Sequence, residues 1–244
     1  MKIGLFVPCH VNELAPEVAI ATLELLEGYG LTVDYPLAQT CCGQPQFNNG
    51  DLKGADRAAG RFAEVFAGYD YIVSPGTSCV SHVGAHTPDA LSKTRSRVYE
   101  LVEFLQDVLK VERLPKPVYF PHKVSLHQSC HGLRLRAHAT PSERMLPYQS
   151  RLERILALVD GVSVVYPQRR DECCGFGGSF CVDEPEVSVA MGEDRVDGHA
   201  ATGAEFIVGA EPSCLMHMGG VIRAQDKAIR PLHIALLLTG RGGA

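Results

Sequence analysis

The chain has no long hydrophobic run. The longest apolar stretch near its end, Ile234 to Leu238, falls far short of the ~20 residues that a membrane-spanning helix needs. Any link to a membrane is therefore expected to run through a partner. There is no excess of positive charge either: the formal net charge is −5, with acids and bases mixed along the chain, which leaves no basic footprint for nucleic acid. The opening Met1-Lys2-Ile3-Gly4-Leu5-Phe6-Val7-Pro8 is too short and apolar for a signal peptide and reads as a buried first strand. Gly175-Phe176-Gly177-Gly178-Ser179 superficially resembles a nucleotide loop, but it lacks both the lysine of a P-loop and the full glycine fingerprint. With 45% hydrophobic and 21% charged residues, the composition fits neither disorder nor a fibrous repeat. The 244 residues suit one large domain or two small ones.

What the chain does have is nine cysteines. A chain of this length has core enough without disulfide staples. In the reducing, cytoplasmic setting expected without an export signal, clustered cysteines more often bind metal or do redox work. Eight of them follow one pattern used twice. Cys9-His10 is followed after 31 residues by Cys41-Cys42-Gly43, and after a further 36 by Cys79-x-x-His82. Cys130-His131 is followed after 42 residues by Cys173-Cys174-Gly175, and after 39 by Cys214-x-x-His217. Cys181 has no counterpart in the first half and reads as a spare thiol.

The surrounding pattern repeats as well. Apolar strands are expected at Lys2 to Pro8, Leu31 to Tyr35, Asp70 to Ser74, Lys123 to His127, Val162 to Tyr166 and Glu205 to Gly209. Helical spacing marks Glu17 to Gly28, Leu52 to Phe66, Arg97 to Leu109, Ser142 to Val159 and Pro185 to Ala201. Helix entries are expected at Cys79 and at Pro212-Ser213-Cys214. Ile229 to Leu238 closes the chain in the place that Tyr99 to Leu109 holds in the first half. Pro115-Lys116-Pro117 is the natural linker. Alternating strands and helices imply parallel sheets flanked by helices, hence two repeated α/β domains, residues 1–116 and 117–244. Ligands of such sheets gather at the carboxyl ends of strands, where these cysteines fall.

Adjacent cysteines suit a single tetrahedral zinc poorly, since its usual pairs are two to four residues apart. Consecutive side chains in extended backbone point to opposite faces, so a turn must bring both sulfurs to one side. A following glycine can take the positive φ that such a turn demands. Two neighbouring thiolates then suit a polynuclear iron site. One isolated pair reads equally well as a vicinal disulfide or two buried thiols; two pairs with matching escorts favour metal. Cys79 and His82, like Cys214 and His217, sit three apart on one helix face, and a helix N-terminus favours thiolate. Each histidine can either ligate, making a cluster less negative, or donate a hydrogen bond to it. His10 and His131 read as outer donors. Arg169-Arg170 and Arg134/Arg136 can grip an acidic group or simply be solvated.

The arrangement of a distant cysteine, Cys-Cys-Gly and a closing cysteine pair resembles the cysteine-rich CCG-domain family over essentially the whole chain, in two tandem copies. The family includes the CCG-bearing component of heterodisulfide reductase and the iron–sulfur components of glycolate oxidase. The resemblance implies two pseudo-symmetric, Rossmann-like CCG domains. Each would hold an iron–sulfur cluster, 4Fe–4S of noncubane type, through Cys9, Cys41, Cys42 and Cys79, or through Cys130, Cys173, Cys174 and Cys214. Zinc in one site is the alternative. Glu172-Cys173-Cys174-Gly175-Phe176-Gly177-Gly178 and Ser129-Cys130-His131 look most like the small CCG subunit of three-protein L-lactate-oxidising systems. That implies electron transfer beside a ferredoxin-like iron–sulfur subunit and a third small subunit. Cluster-based disulfide or thiol reduction, as in heterodisulfide reductase, and a zinc-braced, non-redox protein are the other readings. The chain departs from the motif where His82 and His217 replace the final cysteines and where the second-half spacings lengthen. It has no ferredoxin-type cysteine run, so cubane clusters would come from a partner. No catalytic residue is identified.

Overall fold

The computed structural model describes residues 1–86 and 91–243. In the first half the elements are β1 (Lys2–Leu5), α1 (Cys9–Leu14), α2 (Pro16–Gly28), β2 (Thr32–Asp34), α3 (Gln44–Asn48), α4 (Leu52–Val65), β3 (Tyr71–Ser74), α5 (Thr77–His86), α6 (Ser92–Arg95), β4 (Val98–Glu100) and α7 (Leu101–Glu103). A π-helical turn, Phe104–Val108, continues α7. In the second half they are β5 (Lys123–Leu126), α8 (Cys130–Leu135), α9 (Arg151–Leu156), β6 (Ser163–Val165), α10 (Phe180–Asp183), α11 (Pro185–Ala200), β7 (Phe206–Gly209), α12 (Pro212–Ala224), β8 (Arg230–His233) and α13 (Ile234–Leu238).

Each half forms a four-stranded parallel sheet, ordered β2-β1-β3-β4 in one and β6-β5-β7-β8 in the other. The molecule is thus α/β, with two tandem pseudo-symmetric units. The central strands β3 and β7 are wholly or largely buried, as expected where helices cover both faces of a parallel sheet. The largest core cluster draws on both halves, joining Ile3, Leu25, Leu26 and Phe104 to Phe120, Val124, Phe206 and Leu237. Separate clusters surround the cysteines, one with Phe6, Phe62, Phe66, Cys42 and Cys79 and one with Met218, Val221, Cys174 and Cys214.

The structure corrects two expectations. Arg97 to Leu109 is not one helix: Val98–Glu100 pairs with β3 as an edge strand, and Glu100 then caps α7 in a capping box with Glu103. Ile229 to Leu238 divides the same way, into β8 and α13, and so keeps its expected match to Tyr99 to Leu109. Ser142 to Val159 is helical only as a single turn, Ser142–Arg144, and as α9. Met145 adopts φ 51° and Pro147 offers no N–H to a helix, so the helix restarts only at Ser150, whose side chain accepts from the Glu153 N–H.

Candidate metal centres

The eight patterned cysteines occupy matching places. Cys9 and Cys130 open α1 and α8, three residues beyond Phe6 and His127, whose N–H groups donate to the β3 and β7 carbonyls of Val73 and Val208. The Cys-Cys-Gly segments follow β2 and β6. Cys79 and Cys214 are each the third residue of their helices, α5 and α12. All lie beyond the carboxyl ends of the parallel strands.

In both turns the glycine, Gly43 or Gly175, has φ 91°, a left-handed conformation that side chains resist. Its N–H points back at the first sulfur of the pair, at 3.5 Å for Cys41 and 3.4 Å for Cys173. The second sulfur, Cys42 or Cys174, is buried. The turn thereby gathers both thiols on one side. The thiols of Cys9 and Cys42 donate to Cys41, and Cys42 also contacts Cys79. In the second half Cys130 donates to Cys173, and Cys174 lies between Cys173 and Cys214, with one proton to share between them. Cys41 is held well below the ordinary thiol range by the thiols of Cys42 and Cys9 and the Gly43 amide. Cys173 is held down in the same way by Cys130, Cys174 and the Gly175 amide. Each set therefore runs as a chain of neighbouring sulfurs in which the first cysteine of the pair is favoured as the thiolate. All are free thiols.

Donor chemistry decides what fits. Four convergent sulfurs, with no carboxylate among them, suit a soft metal or an iron–sulfur cluster and exclude a hard oxygen-seeking cation.

The histidines of the Cys-x-x-His pairs differ. His82 is buried, its ring 5.4 Å from that of Phe47 and 5.3 Å from that of His86; burial and the neighbouring His86 lower its pKa to about 4, so it is neutral. The Nε2 of His217 lies 3.1 Å from the Ser188 carbonyl. His10 and His131 reach across to the opposite half. His10 Nε2 is 3.9 Å from Glu211, and His131 Nε2 is 3.2 Å from Gln44 Nε2. Cys181 donates to the Gly178 carbonyl at 3.1 Å. Arg169 pairs with Glu172 and Asp194, Arg136 with Glu103 and Arg134 with Glu143. Arg170 lies over the rings of Tyr148 and Tyr166.

Three residues beyond the repeated cysteine pattern also belong here. A ring nitrogen of His127 and the sulfurs of Cys174 and Cys214 lie within 4.8 Å of one another. Arg195, fully buried, donates from Nε to His127 Nδ1 at 3.1 Å. Glu211, also buried, accepts at one oxygen from the Ser213 N–H and hydroxyl and at the other from the Ser78 N–H. One carboxylate thus caps both helices that carry the closing cysteines. The signal for His127 is visible in the aligned halves, Lys2-Ile3-Gly4-Leu5-Phe6 against Lys123-Val124-Ser125-Leu126-His127, where a polar ring replaces an apolar one at a buried strand end.

With fold and sulfur geometry in place, the comparisons define the class of protein. The cysteine-rich domain (CCG) model matches residues 3–84 and 124–219, and the chain belongs to that family. Among curated relatives, Lactate utilization protein A of Bacillus subtilis (strain 168) is 36% identical over 250 residues, covering 99% of this chain and 100% of that protein. Lactate utilization protein A of Exiguobacterium sp. (strain ATCC BAA-1283 / AT1b) is 37% identical over 248 residues, covering 97% of this chain and 96% of that one. A hypothetical protein from Helicobacter pylori, solved by crystallography, shares the fold with TM-score 0.66 at 10% identity, over 100% of this chain and 49% of its own. Among the described residues no helix is long and apolar enough to cross a membrane.

Proposed function

We propose that this chain is the iron–sulfur electron-transfer subunit of an L-lactate-oxidising system, working beside a ferredoxin-like iron–sulfur protein and a third small subunit. The observation that carries the reading is the twofold convergence of four thiols on a glycine-made turn, in a chain similar along its whole length to proteins named for lactate utilization. Residues 1–116 and 117–244 are read as the two CCG units. Cys9, Cys41, Cys42 and Cys79 would hold one 4Fe–4S cluster of noncubane type, and Cys130, Cys173, Cys174 and Cys214 the other. When bound, such clusters accept and release single electrons. The chain's own residues supply the thiolates, aim the Gly43 and Gly175 amides at the first sulfurs, and bury the second ones away from water. Hydrogen bonds and burial of this kind set potential. His82, buried beside Phe47, and His217, whose Nε2 lies 3.1 Å from the Ser188 carbonyl, stand three residues beyond the closing cysteines, either as ligands or as outer hydrogen-bond donors to the cluster.

One observation supports a second reading for the second site: among the described residues, His127, Cys174 and Cys214 form the one group offering three close donors for a single zinc.

Anaerobic purification followed by metal and acid-labile sulfide analysis separates the two. Near-equal iron and sulfide is expected, with loss of roughly half of each in Cys174→Ser and in Cys42→Ser. Lactate-dependent bleaching is expected only when the ferredoxin-like partner is added. Stoichiometric zinc without sulfide would end the proposal.

A further inference from the structure

We infer that His127, oriented by Arg195, is an N–H donor to the sulfurs of the second cysteine set, and that this buried cationic pair makes the second centre the more easily reduced of the two. The inference rests on the iron–sulfur reading above and gives the duplicated pair of sites a direction.

It starts from a difference between the halves. Phe6 and His127 follow β1 and β5 at the same place and make the same backbone hydrogen bond. Gly43 packs on Ala55 and Ala58 of α4, and Gly175 on Ser188 and Met191 of α11. One register therefore relates the two helices, and it sets Phe62 against Arg195 and Phe66 against His199. In the first half these positions form a dry aromatic cluster, with Phe6 to Phe62 at 4.9 Å, Phe6 to Phe66 at 5.8 Å and Phe62 to Phe66 at 4.7 Å. The second half places His127, Arg195 and His199 there, all of them buried.

Among the described residues Arg195 hydrogen-bonds only to neutral acceptors: His127 Nδ1 at 3.1 Å, the Arg169 carbonyl at 2.5 Å and the Arg170 carbonyl at 3.2 Å. Among the described residues it makes no ion pair with a carboxylate. A buried charge without a counter-charge is strongly destabilising. The groups near enough to favour this cation are Glu172, Cys174, Cys214 and Asp171, and two of those four are cysteines of the second set. Glu172 is shared with Arg169 and Asp171 accepts from the Ser142 N–H, so the thiolates of the second set complete the balancing charge.

The Arg195 hydrogen bond also fixes the ring. Nδ1 accepts, so the neutral imidazole carries its proton on Nε2. That atom is buried and has no hydrogen-bond partner, sulfur included, in the metal-free protein, so its proton is free to meet the sulfurs of a filled site. The ring stands beside Cys174 and Cys214, and a protonated nitrogen has no lone pair to give a metal. His127 is then a donor to sulfur and not a ligand. His199, whose Nδ1 meets Ser125 Oγ at 2.8 Å and whose ring centre is 5.6 Å from that of His127, backs it on the far side. Hydrogen bonds to the sulfurs and a nearby positive charge both favour the state carrying one more electron. In the transfer implied, one electron leaves the first centre and one enters the second; His127 keeps its proton throughout.

The test is a potentiometric titration of the full-length, anaerobically loaded protein, followed by electron paramagnetic resonance. Two midpoint potentials are expected. In His127→Phe and Arg195→Met the higher one falls while the lower stays in place. Arg195→Lys, which keeps the charge, recovers part of the loss. The double variant His127→Phe/Arg195→Met restores the apolar packing of the first half and guards against simple misfolding. Unchanged potentials in variants that retain iron and sulfide, or both potentials moving together, would overturn the inference while leaving the iron–sulfur reading intact. Absence of sulfide in the wild type would instead sink that reading. Nitrogen NMR of histidine-labelled protein adds an independent readout: His127 protonated on Nδ1 in the metal-free form, or bound to zinc through Nε2 when zinc is supplied, would refute the donor role.

Discussion

Gly43 and Gly175 adopt the same left-handed φ of 91°, yet their surroundings are not equally tight. A Cβ on Gly175 would meet the Ser188 carbonyl at 2.5 Å and the Met191 Cβ at 2.8 Å, whereas on Gly43 it would meet the Ala58 Cβ at 3.0 Å and the Ala55 carbonyl at 3.2 Å. Left-handed backbone costs an L-residue about 1–2 kcal/mol. Gly175→Ala adds a collision with rigid backbone, so it should destabilise by more than about 2 kcal/mol, beyond the left-handed strain alone. It should also empty the second site preferentially. Gly43→Ala should cost about 1–2 kcal/mol and leave both sites largely filled. Denaturant unfolding and metal analysis of the two variants side by side check this. Equal effects would mean that the turn conformation alone, and not packing on α11, limits the site.

At the scale of elements, the helices that present Cys79 and Cys214 share their cap. Glu211 satisfies N-terminal N–H groups of α5 and α12 together, a favourable place for negative charge because both helix dipoles point at it. Glu211→Ala leaves buried donors on two helices unpaired and should destabilise by about 2–4 kcal/mol; metal content should fall at both sites, not one. Loss confined to the second site would show that α5 does not depend on this carboxylate. Much of this layer is readable in the chain. The long helices α2, α4 and α11 announce themselves by apolar spacing, the inner strands by short apolar runs, and the cysteines by recurrence. The edge strands β4 and β8 do not, because Val98-Tyr99-Glu100 is too short for alternation to register and runs straight into helix. Nor does Glu211, whose importance lies in a partner 133 residues away. The repeat also draws the eye to what the halves share, while His127 and Arg195 matter for what they do not share.

The whole molecule is held as one body by a core drawn from both halves and by polar ties across their junction. One tie has a pH signature. His233 caps α13 by accepting the Ala235 N–H at Nδ1, and its Nε2 lies 3.1 Å from the Pro75 carbonyl, to which it donates from the opposite half. Both hydrogen bonds are made by the neutral ring. Complete burial lowers its pKa from 6.5 to about 4. A histidine depressed in the folded state contributes stability that is fully present above its unfolded pKa and is lost as pH falls through the folded one. The window here runs from 6.5 down to about 4, and the total at stake is about 3 kcal/mol. Glutamine can accept and donate in the same two directions without gaining a proton. His233→Gln should therefore resemble the wild type at pH ~7 but lose roughly 2 kcal/mol less on acidification to pH ~4.5. Denaturant unfolding at the two pH values, on both proteins in the same metal state, measures that difference and cancels the acid lability of the cysteine sites and of the other buried histidines. Parallel losses would show that the junction between the halves opens before His233 is protonated, and that its cap is not what acid attacks.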